Sequence, residues 1–286
     1  MRVRQFVRQQ SLTILFVAFV SGWHCCCVQR DASGQETELA DSQATSDVDQ
    51  AKARFQAIAE RIRLQAETDP TEAKLLDRPV LNWTNPVRKT PSGAMFLWVD
   101  ARRPVAALCL YPASDEATDH EFQSLALEKL VASVDDRIVW QPNEAGLKFG
   151  EITGAAPPSD RSFVRMRQMK SLAREFQAKL VPPDKHPISL RLLATPLHRY
   201  PAEARMQSSG DRDLIDGAVF ALVQGTDPEV LLLIEAREQS GQTQWVYALA
   251  RMSMVPTEVR RAGQLVWSTD WAIQRTYTTY YTAKGL

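Results

Sequence analysis

Two apolar runs in the C-terminal third of the chain constrain its fold more than any other feature. Residues 218–224 and 230–236 are apolar on both faces of a strand, so neither run has a polar side that could meet solvent. Runs of this kind are typical of central strands in a sheet that is covered on both sides. The four residues 225–228 between them (Gly-Thr-Asp-Pro) favour a turn. The pattern therefore predicts two neighbouring central strands joined by a tight turn.

Further strands are predicted along most of the chain. Residues 94–99 and 105–111 flank a polar segment and predict a hairpin. Residues 258–267 predict another hairpin around Ala262 and Gly263. Short turns between successive strands favour an antiparallel meander, and no internal repeat is evident. Other extended segments are predicted at residues 122–134, 137–140, 146–152, 188–193 and 245–254.

Two segments have the periodicity of amphipathic helices. Residues 51–67 predict a helix of about four turns that ends before Pro70, and residues 161–180 predict a longer helix. Ser159 or Asp160 could cap the second helix, because short polar side chains accept hydrogen bonds from the first free backbone N–H groups. The apolar stripes are Phe55, Ile58 and Ile62 in the first segment and Phe163, Met166, Met169, Ala173, Phe176 and Leu180 in the second.

Together these elements predict an α+β fold. The expected architecture is an antiparallel β-rich domain, arranged as a meander, a sandwich or a partly open barrel, with one long packed helix and an N-terminal amphipathic helix. A hydrophobic content of 44% and a charged content of 24% are typical of such a globular protein. The predicted organisation is a signal peptide at residues 1–22, a disordered acidic spacer at residues 23–50, an amphipathic helix with a linker at residues 51–79 and a single globular domain at residues 80–286.

The N-terminal segment has the composition of an export signal. Three arginines and no acid precede a short apolar block at residues 11–22 that ends in small residues, a combination typical of secretory signal peptides. Cleavage before Trp23 is the preferred prediction. Two alternatives are an uncleaved membrane anchor that extends to Val28 and lipidation at Cys25 to Cys27. We therefore expect a protein exported to the periplasm, the cell envelope or the medium, or one anchored by its N-terminal segment.

The balance of charge excludes a uniformly basic nucleic-acid binder. The chain has 34 lysine and arginine residues and 34 aspartate and glutamate residues. Loss of residues 1–22 would remove three arginines and no acid, leaving 31 basic and 34 acidic residues and a net charge of −3. No nucleic-acid partner is therefore expected. A membrane tether through the N-terminal segment is an open alternative.

Sequence motifs for catalysis and for cofactor or metal binding are absent. The chain has no nucleophile elbow, zinc-protease motif, phosphate-binding loop or dinucleotide fingerprint. Cys109 lies in an apolar strand and is predicted to be a small buried side chain, and no cysteine or histidine spacing favours a zinc site. We therefore predict no catalytic residue, no metal ligand and no cofactor.

One alternative is a hydrolase whose acid–base site matches no motif. Its candidate residues are His120, His198 and Asp216, which would have to meet in the folded protein. Glu121 is a poor partner for His120, because neighbouring residues on a strand point to opposite faces. Aromatic residues could also line a ligand groove, although packing in the core is the preferred interpretation. The aromatics concerned are Trp83, Trp98, Trp140, Trp245, Trp267, Trp271, Tyr277, Tyr280 and Tyr281.

The second predicted helix is strongly cationic. It contains six lysine or arginine residues and one glutamate, so its net charge is +5. Arg167, Lys170 and Arg174 are three and four positions apart and would share one face of the helix. They could bind a polyanion. The preferred interpretation is a solvated face, or one paired with acids such as Glu229 and Glu235.

Several sequence groups carry a resemblance to other proteins. They are residues 83–86 (Trp-Thr-Asn-Pro), 93–98 before Arg103-Pro104, 121–125, 168–173, 190–193 before 196–200, and 216–221 before 225–229. Together, over residues 80–267, they resemble a group of uncharacterised, predicted exported proteins of planctomycete bacteria. The resemblance implies an export address and a single fold unit, and it implies no reaction and no functional residue.

These observations favour one function over two alternatives. We expect an exported or envelope-associated protein that acts as a non-enzymatic binding or structural module. The alternatives are a hydrolase with a non-motif Asp/His acid–base site and a polyanion-binding surface protein. The sequence favours no particular ligand.

Overall fold

Four antiparallel sheets and two helices make up the part of the chain that the computed structural model describes, residues 47–113, 117–201 and 213–285. The predicted α+β fold with dominant antiparallel strands is confirmed. The predicted signal peptide, the three neighbouring cysteines and most of the predicted acidic spacer lie outside the described residues. No described helix is long and apolar enough to cross a membrane.

The strands follow one another mainly as hairpins with short connections. The elements up to residue 151 are α1 (47–60), β1 (Ile62–Ala66), β2 (Lys74–Leu75), β3 (Leu81–Asn85), β4 (Thr90–Asp100), β5 (Arg103–Pro112), β6 (Thr118–Ser124), β7 (Leu130–Val134), β8 (Arg137–Trp140) and β9 (Gly150–Glu151). The later elements are α2 (Ser162–Ala173), β10 (Phe176–Leu180), β11 (Ile188–Ser189), β12 (Arg191–Leu192), β13 (His198–Arg199), β14 (Leu214–Gln224), β15 (Asp227–Gln239), β16 (Gln242–Arg251), β17 (Thr257–Arg261), β18 (Gln264–Thr269) and β19 (Tyr280–Lys284).

Two six-stranded sheets face each other at the centre of the structure. The first central sheet has the order β19-β6-β5-β4-β2, with β3 also paired to β4. The second has the order β12-β14-β15-β16-β9, with β13 also paired to β14. Their facing sides share one central core, which includes Met95 and Cys109 from the first sheet and Val219 from the second. The two long apolar runs are confirmed as β14 and β15, which are buried on both faces.

Each central sheet is covered on its outer side by one helix and one small sheet. Helix α1 and the sheet β1-β7-β8 cover the first central sheet, where Phe55 and Trp140 are buried in one cluster with Phe96. Helix α2 and the sheet β11-β10-β17-β18 cover the second, where Met169 is buried in one cluster with Phe220. The result is four layers of secondary structure around three cores.

The two covered sheets are built from the same series of elements, so the structure contains an internal repeat. In the first half α1, β1, β4, β5, β6, β7 and β8 correspond in order and pairing to α2, β10, β14, β15, β16, β17 and β18 in the second. The register agrees as well: Val99 pairs with Pro104 as Val223 pairs with Pro228, in each case next to a bulge. The prediction that the chain has no internal repeat is therefore wrong. The sequence did not show the repeat because the halves share topology and register far more than residue identity.

The clearest shared sequence lies in β4 and β14. Both strands contain Gly-Ala-x-Phe-x-x-Val, beginning at Gly93 and at Gly217. Each glycine lies against an aromatic ring: a Cβ atom on Gly93 would be 2.2 Å from a ring atom of Trp83, and one on Gly217 would be 2.2 Å from a ring atom of Tyr200. Glycine is favoured at both positions because any side chain would have to displace the ring.

The two halves exchange their last strands. Strand β9, at the end of the first half, pairs with β16 in the second central sheet. Strand β19, at the end of the second half, pairs with β6 in the first. Each central sheet is therefore completed by the other half of the chain, and the described residues belong to one compact unit.

Both helices are shorter than predicted, for the same reason. Helix α1 ends at residue 60 and α2 ends at Ala173, and a strand follows at once in each case. Alternate residues of these strands are buried, Ile62 and Leu64 in β1 and Phe176 and Ala178 in β10. In both segments the buried residues of the strand come directly after the apolar stripe of the helix. The sequence pattern therefore predicts a helix that continues through residues that in fact form a strand.

Other predictions differ in detail. Neither Ser159 nor Asp160 caps α2; the N-cap is Arg161, without a side-chain cap, and Ser159 Oγ accepts a 3.2 Å hydrogen bond from the Arg161 N–H. The strand predicted at residues 188–193 is split into β11 and β12, which lie in different sheets. The two predicted hairpins are confirmed as β4–β5 and β17–β18.

The predicted linker region carries regular structure. Residues 47–50, assigned to the spacer, are already in α1, and β1 and β2 lie within residues 51–79. Strand β1 pairs with β7 and β2 pairs with β4. The folded part therefore begins before the predicted boundary at residue 80, because α1 and β1 cover the outer side of the first central sheet.

Candidate functional site

The three candidate acid–base residues lie on three different faces of the sheets. His120 is opposite Leu110 in the first central sheet and faces its outer core. His198 is opposite Val219 and faces the central core. Asp216 faces the outer side of the second sheet, toward α2. The structure therefore does not bring His120, His198 and Asp216 together.

Both histidines pack against aromatic rings. The His120 ring lies edge-on to Phe122 and Tyr281, with centroids 5.5 and 5.9 Å away, and burial lowers its pKa to about 4. The His198 ring stacks on Tyr200 with centroids 6.0 Å apart, and burial lowers its pKa as well. Both imidazoles are therefore mainly neutral at pH 7 and serve packing.

Asp216 is bound by two arginines. It is completely buried, and its Oδ2 accepts hydrogen bonds from Arg165 Nε at 2.9 Å and Arg199 Nη2 at 2.6 Å. Its Oδ1 accepts a 3.1 Å hydrogen bond from Arg199 Nε. Since Arg165 comes from α2 and Arg199 from β13, this ion cluster ties the helix to the second central sheet.

Three carboxylates that the sequence analysis did not combine into one site face the central core. Asp227 and Glu229 are on β15 and Glu121 is on β6; these residues and Arg88 are called the carboxylate cluster below. Arg88 Nη1 is 3.3 Å from Asp227 Oδ2, and its Nη2 is 2.6 Å from Glu229 Oε1. Asn85 Nδ2 donates a 2.8 Å hydrogen bond to the same Asp227 oxygen.

One arginine does not balance three carboxylates. Glu229 is completely buried and Asp227 is 5% exposed. Burial, with the negative charge of Glu229, raises the pKa of Asp227 to about 7. Burial, with the charges of Asp227 and Glu229, raises the pKa of Glu121 to about 8, and burial also raises the pKa of Glu229. The cluster therefore retains a proton at neutral pH, mainly on Glu121.

A second buried ionic cluster has the opposite balance. Glu235 is completely buried and accepts hydrogen bonds from Arg103 Nε at 3.1 Å, Arg237 Nε at 2.7 Å and the Tyr200 hydroxyl at 3.0 Å. The guanidinium carbons of Arg103 and Arg237 also lie 5.5 and 4.4 Å from the ring centroid of Phe149. Here two cations surround one carboxylate and satisfy its buried charge, whereas the carboxylate cluster has one cation for three carboxylates.

The sequence contained a signal for both clusters. Glu235 interrupts a long apolar run, and Glu121 is an acid in a predicted strand. An acid in an otherwise buried strand indicates a charge that needs a partner. The partner is not visible in the sequence, because Arg88 is 139 positions away from Asp227.

The third candidate is the outward face of α2. Arg167, Lys170 and Arg174 line a groove of about 610 Å³. Among the described residues these three cations form no ion pair or side-chain hydrogen bond. The predicted pairing with Glu229 or Glu235 is wrong, because both acids point to the central core on the other side of β15. The other residues that line the groove are Val164, Gln168 and Ser171.

A smaller cavity of about 240 Å³ lies between α1 and the first central sheet. Trp83, Ser92 and Gly93 form part of its wall, and Lys52 at its rim pairs with Asp49 at 3.0 Å. The carboxylate cluster lines neither this cavity nor the groove on α2.

Most of the aromatic residues pack in the cores, in agreement with the preferred interpretation of the sequence. Trp83, Trp98, Trp140 and Trp245 are buried, whereas Trp271 is 52% exposed. In the part of the chain that the structure describes, no three histidine, cysteine or acidic side chains are grouped so as to hold a metal ion.

Comparisons of the chain with known protein families, curated proteins and solved structures found no match.

Proposed function

We propose that this protein is a non-enzymatic binding module, exported or attached to the cell envelope, that binds an anionic polymer on the outward face of α2. One observation carries the proposal: Arg167, Lys170 and Arg174, which have no acidic partner among the residues that the structure describes, line a single groove on a helix. Two other cations on the outer side of the second central sheet do have acidic partners: Arg261 pairs with Glu175 at 2.9 Å and Lys179 pairs with Glu258 at 3.1 Å. The free cations are therefore available to a ligand.

Helix α2 is anchored firmly enough to present these charges at fixed spacing. On its inner side Arg165 binds the buried Asp216. On its flank Gln168 Nε2 donates to the Pro157 carbonyl at 2.9 Å, and Gln168 Oε1 accepts from the Ser159 N–H at 3.0 Å. Contacts on two sides fix the helix, so its outward cations need little ordering when a ligand binds.

The arrangement suits an extended polyanion better than a single small anion. Successive cations are three and four residues apart, so they are spaced by about 5 Å along the helix axis instead of converging on one point. Phe163 is on the same stripe, four residues before Arg167, and is 60% exposed. An exposed ring beside a row of cations can stack on the apolar part of a polymer, such as a sugar ring.

Two other observations support the remaining parts of the proposal. The basic and apolar N-terminal segment supports export or a membrane tether. The separation of His120, His198 and Asp216 removes the residues on which the hydrolase alternative depended. An acid–base activity built on other residues stays an untested alternative.

The proposal is tested by binding to heparin, used as a soluble probe polyanion, at several salt concentrations. In the triple variant Arg167→Gln, Lys170→Gln and Arg174→Gln, we expect binding to weaken by about 10-fold or more at low salt. The dependence of log K on log salt should also become less steep, because fewer counterions are released. Isothermal titration calorimetry measures both quantities.

The matched control removes three exposed cations from other surfaces, Arg137→Gln, Lys148→Gln and Lys185→Gln. Both triple variants have the same net charge, so the control separates the groove from overall charge. We expect the control to bind heparin like the unmodified protein. Equal weakening in the two variants, or no salt-sensitive binding by the unmodified protein, would overturn the proposal.

A further inference from the structure

The C-terminal strand β19 is held on the first central sheet at the position of the carboxylate cluster. Its five residues pair with β6, and Thr282 is directly opposite Glu121. Tyr280 is 2% exposed and donates a 3.1 Å hydrogen bond from its hydroxyl to Glu121 Oε1. The guanidinium of Arg251, from the second central sheet, lies 5.3 Å from the centre of the Tyr280 ring.

Glu121 has an excess of negative charge around it. With Glu121 protonated, the ionised side chains of Asp227 and Glu229 and the cation of Arg88 sum to −1, and ionisation of Glu121 makes this sum −2. The other charged or titratable groups around Glu121 come from β5, β6, β16 and β19. They are Cys109 and Tyr111, Asp119, Arg251 through its contact with Tyr280, and Tyr280 and Lys284.

We propose that the protonation of Glu121 controls how tightly β19 is held, so that the C-terminal strand opens from the sheet edge when Glu121 ionises. Glu121 is only partly exposed, whereas an ionised carboxylate needs fuller hydration, and water can reach it most easily from the edge of the sheet. On one side of β6 is the central strand β5, and on the other side is β19, which is the edge strand. Opening β19 therefore hydrates Glu121 without breaking the centre of the sandwich.

The sign of the pH dependence follows from the shift in the pKa of the Glu121 carboxyl group. Burial raises the pKa of Glu121 from an ordinary value near 4.5 to about 8, so the closed strand binds the proton more tightly than the open strand. The attachment of β19 is strongest below the ordinary pKa and weakens as pH rises toward 8. Above pH 8 both states are ionised, and the dependence levels off.

Hydrogen exchange of peptides from β19, corrected for the intrinsic effect of pH, measures this opening. Between about pH 5 and 8 we expect protection of residues 280–284 to fall by up to about tenfold per pH unit, with a plateau above pH 8. In Glu121→Gln the profile should be flat, because the amide does not titrate. Glu151→Gln, which removes an acid from the other exchanged strand, β9, is the matched control and should keep the profile of the unmodified protein.

A second variant keeps the proposal testable if Glu121→Gln does not fold. The Tyr280 hydroxyl favours the ionised form of Glu121, so Tyr280→Phe should raise the pKa of Glu121 and move the plateau above pH 8. A purely structural role of Tyr280 would lower protection equally at every pH. The proposal is overturned if β19 of the unmodified protein shows no corrected pH dependence, or if Glu121→Gln retains it.

Discussion

The two halves of the chain use one architecture to support different chemistry. Strands β5 and β15 begin with equivalent residues that are each followed by a proline. These residues are Arg103 in the first half and Asp227 in the second. Arg103 is paired with Glu235 of the second half, and Asp227 is paired with Arg88 of the first. Equivalent positions thus carry opposite charges, and each of these two residues has its ionic partner in the other half.

This comparison separates what the shared architecture requires from what each half adds. The glycines under aromatic rings, the register next to the bulges and the exchanged strands are common to both halves. Within the described part of the chain, the α2 cations that lack an acidic partner and the excess of carboxylates beside β19 are each found at one place only. Because each half needs a strand from the other half and ion pairs such as Arg103–Glu235 and Arg88–Glu229 join the halves, we expect the two halves to unfold together.

The largest effect is expected from a tryptophan that occurs in both halves. Trp140 and Trp267 hold the same position in the β7–β8 and β17–β18 hairpins. Trp140 is completely buried, stacks on Phe122 at 5.1 Å and donates to the Thr278 carbonyl at 2.8 Å. Trp140→Ala should lower the free energy of unfolding by about 3–5 kcal/mol.

Trp267 is only partly buried, so Trp267→Ala should cost clearly less than Trp140→Ala. Urea denaturation measures the free energy of unfolding of each variant. Equal m-values would show that the two variants expose similar surface on unfolding, so that the free energies can be compared directly. Equal losses in the two variants would mean that the equivalent positions contribute equally, contrary to their burial.

A smaller effect is expected at the residue that precedes each of the two shared glycines, Gly93 and Gly217. In the second half this residue is Asp216, which holds Arg165 and Arg199, and in the first half it is Ser92. Asp216→Ala would leave two arginines without their carboxylate and should cost about 3 kcal/mol. This is the low end for a broken buried pair, because the Arg199 side chain is 28% exposed and can be hydrated.

Ser92→Ala is the matched change in the first half and should cost less than about 1 kcal/mol, because it leaves no buried ion. Thermal unfolding of both variants at pH 7 makes the comparison. A loss at Ser92 as large as that at Asp216 would contradict the view that the ion cluster belongs to one half only.

Effects no larger than that of Asp216→Ala are expected at the two shared glycines, where the halves should respond alike. Gly93→Ala and Gly217→Ala should each cost about 1–3 kcal/mol, because the added methyl group displaces the ring of Trp83 or Tyr200. Gly150→Ala is the control, since its Cβ would approach only side-chain atoms of Tyr247, at 3.0 to 3.2 Å. If only one of the two glycines were sensitive, the repeat would not extend to this packing.

Some of the fold was predictable because its signals are local. The apolar runs that form β14 and β15, the turn between them and the β4–β5 hairpin all depend on residues close together in sequence. The helix ends were not predictable in the same way. The alternation in β1 and β10 continues the apolar stripe of the preceding helix, and only pairing with β7 and β17 shows that these segments are strands.

The candidate sites were predictable to different degrees. The cationic face of α2 follows from helical spacing, because Arg167, Lys170 and Arg174 are neighbours on one element. The carboxylate cluster does not follow from the sequence, because it assembles from residues on β6, β15 and the turn before β4. Only the structure shows that the α2 cations have no acidic partner among the described residues, because it places Glu229 and Glu235 in the central core.

The sequence by itself therefore determined the fold class, the central strands and the charge of α2, since strand alternation, turn residues and helical spacing act over a few positions. The tertiary structure alone decided the internal repeat, the exchanged strands and the buried ionic clusters. These features depend on contacts between residues more than a hundred positions apart, such as Arg103 with Glu235 and Tyr280 with Glu121, whose separations are 132 and 159 positions. Strand pairing and charge pairing at that distance follow from how the layers stack, which no local pattern records.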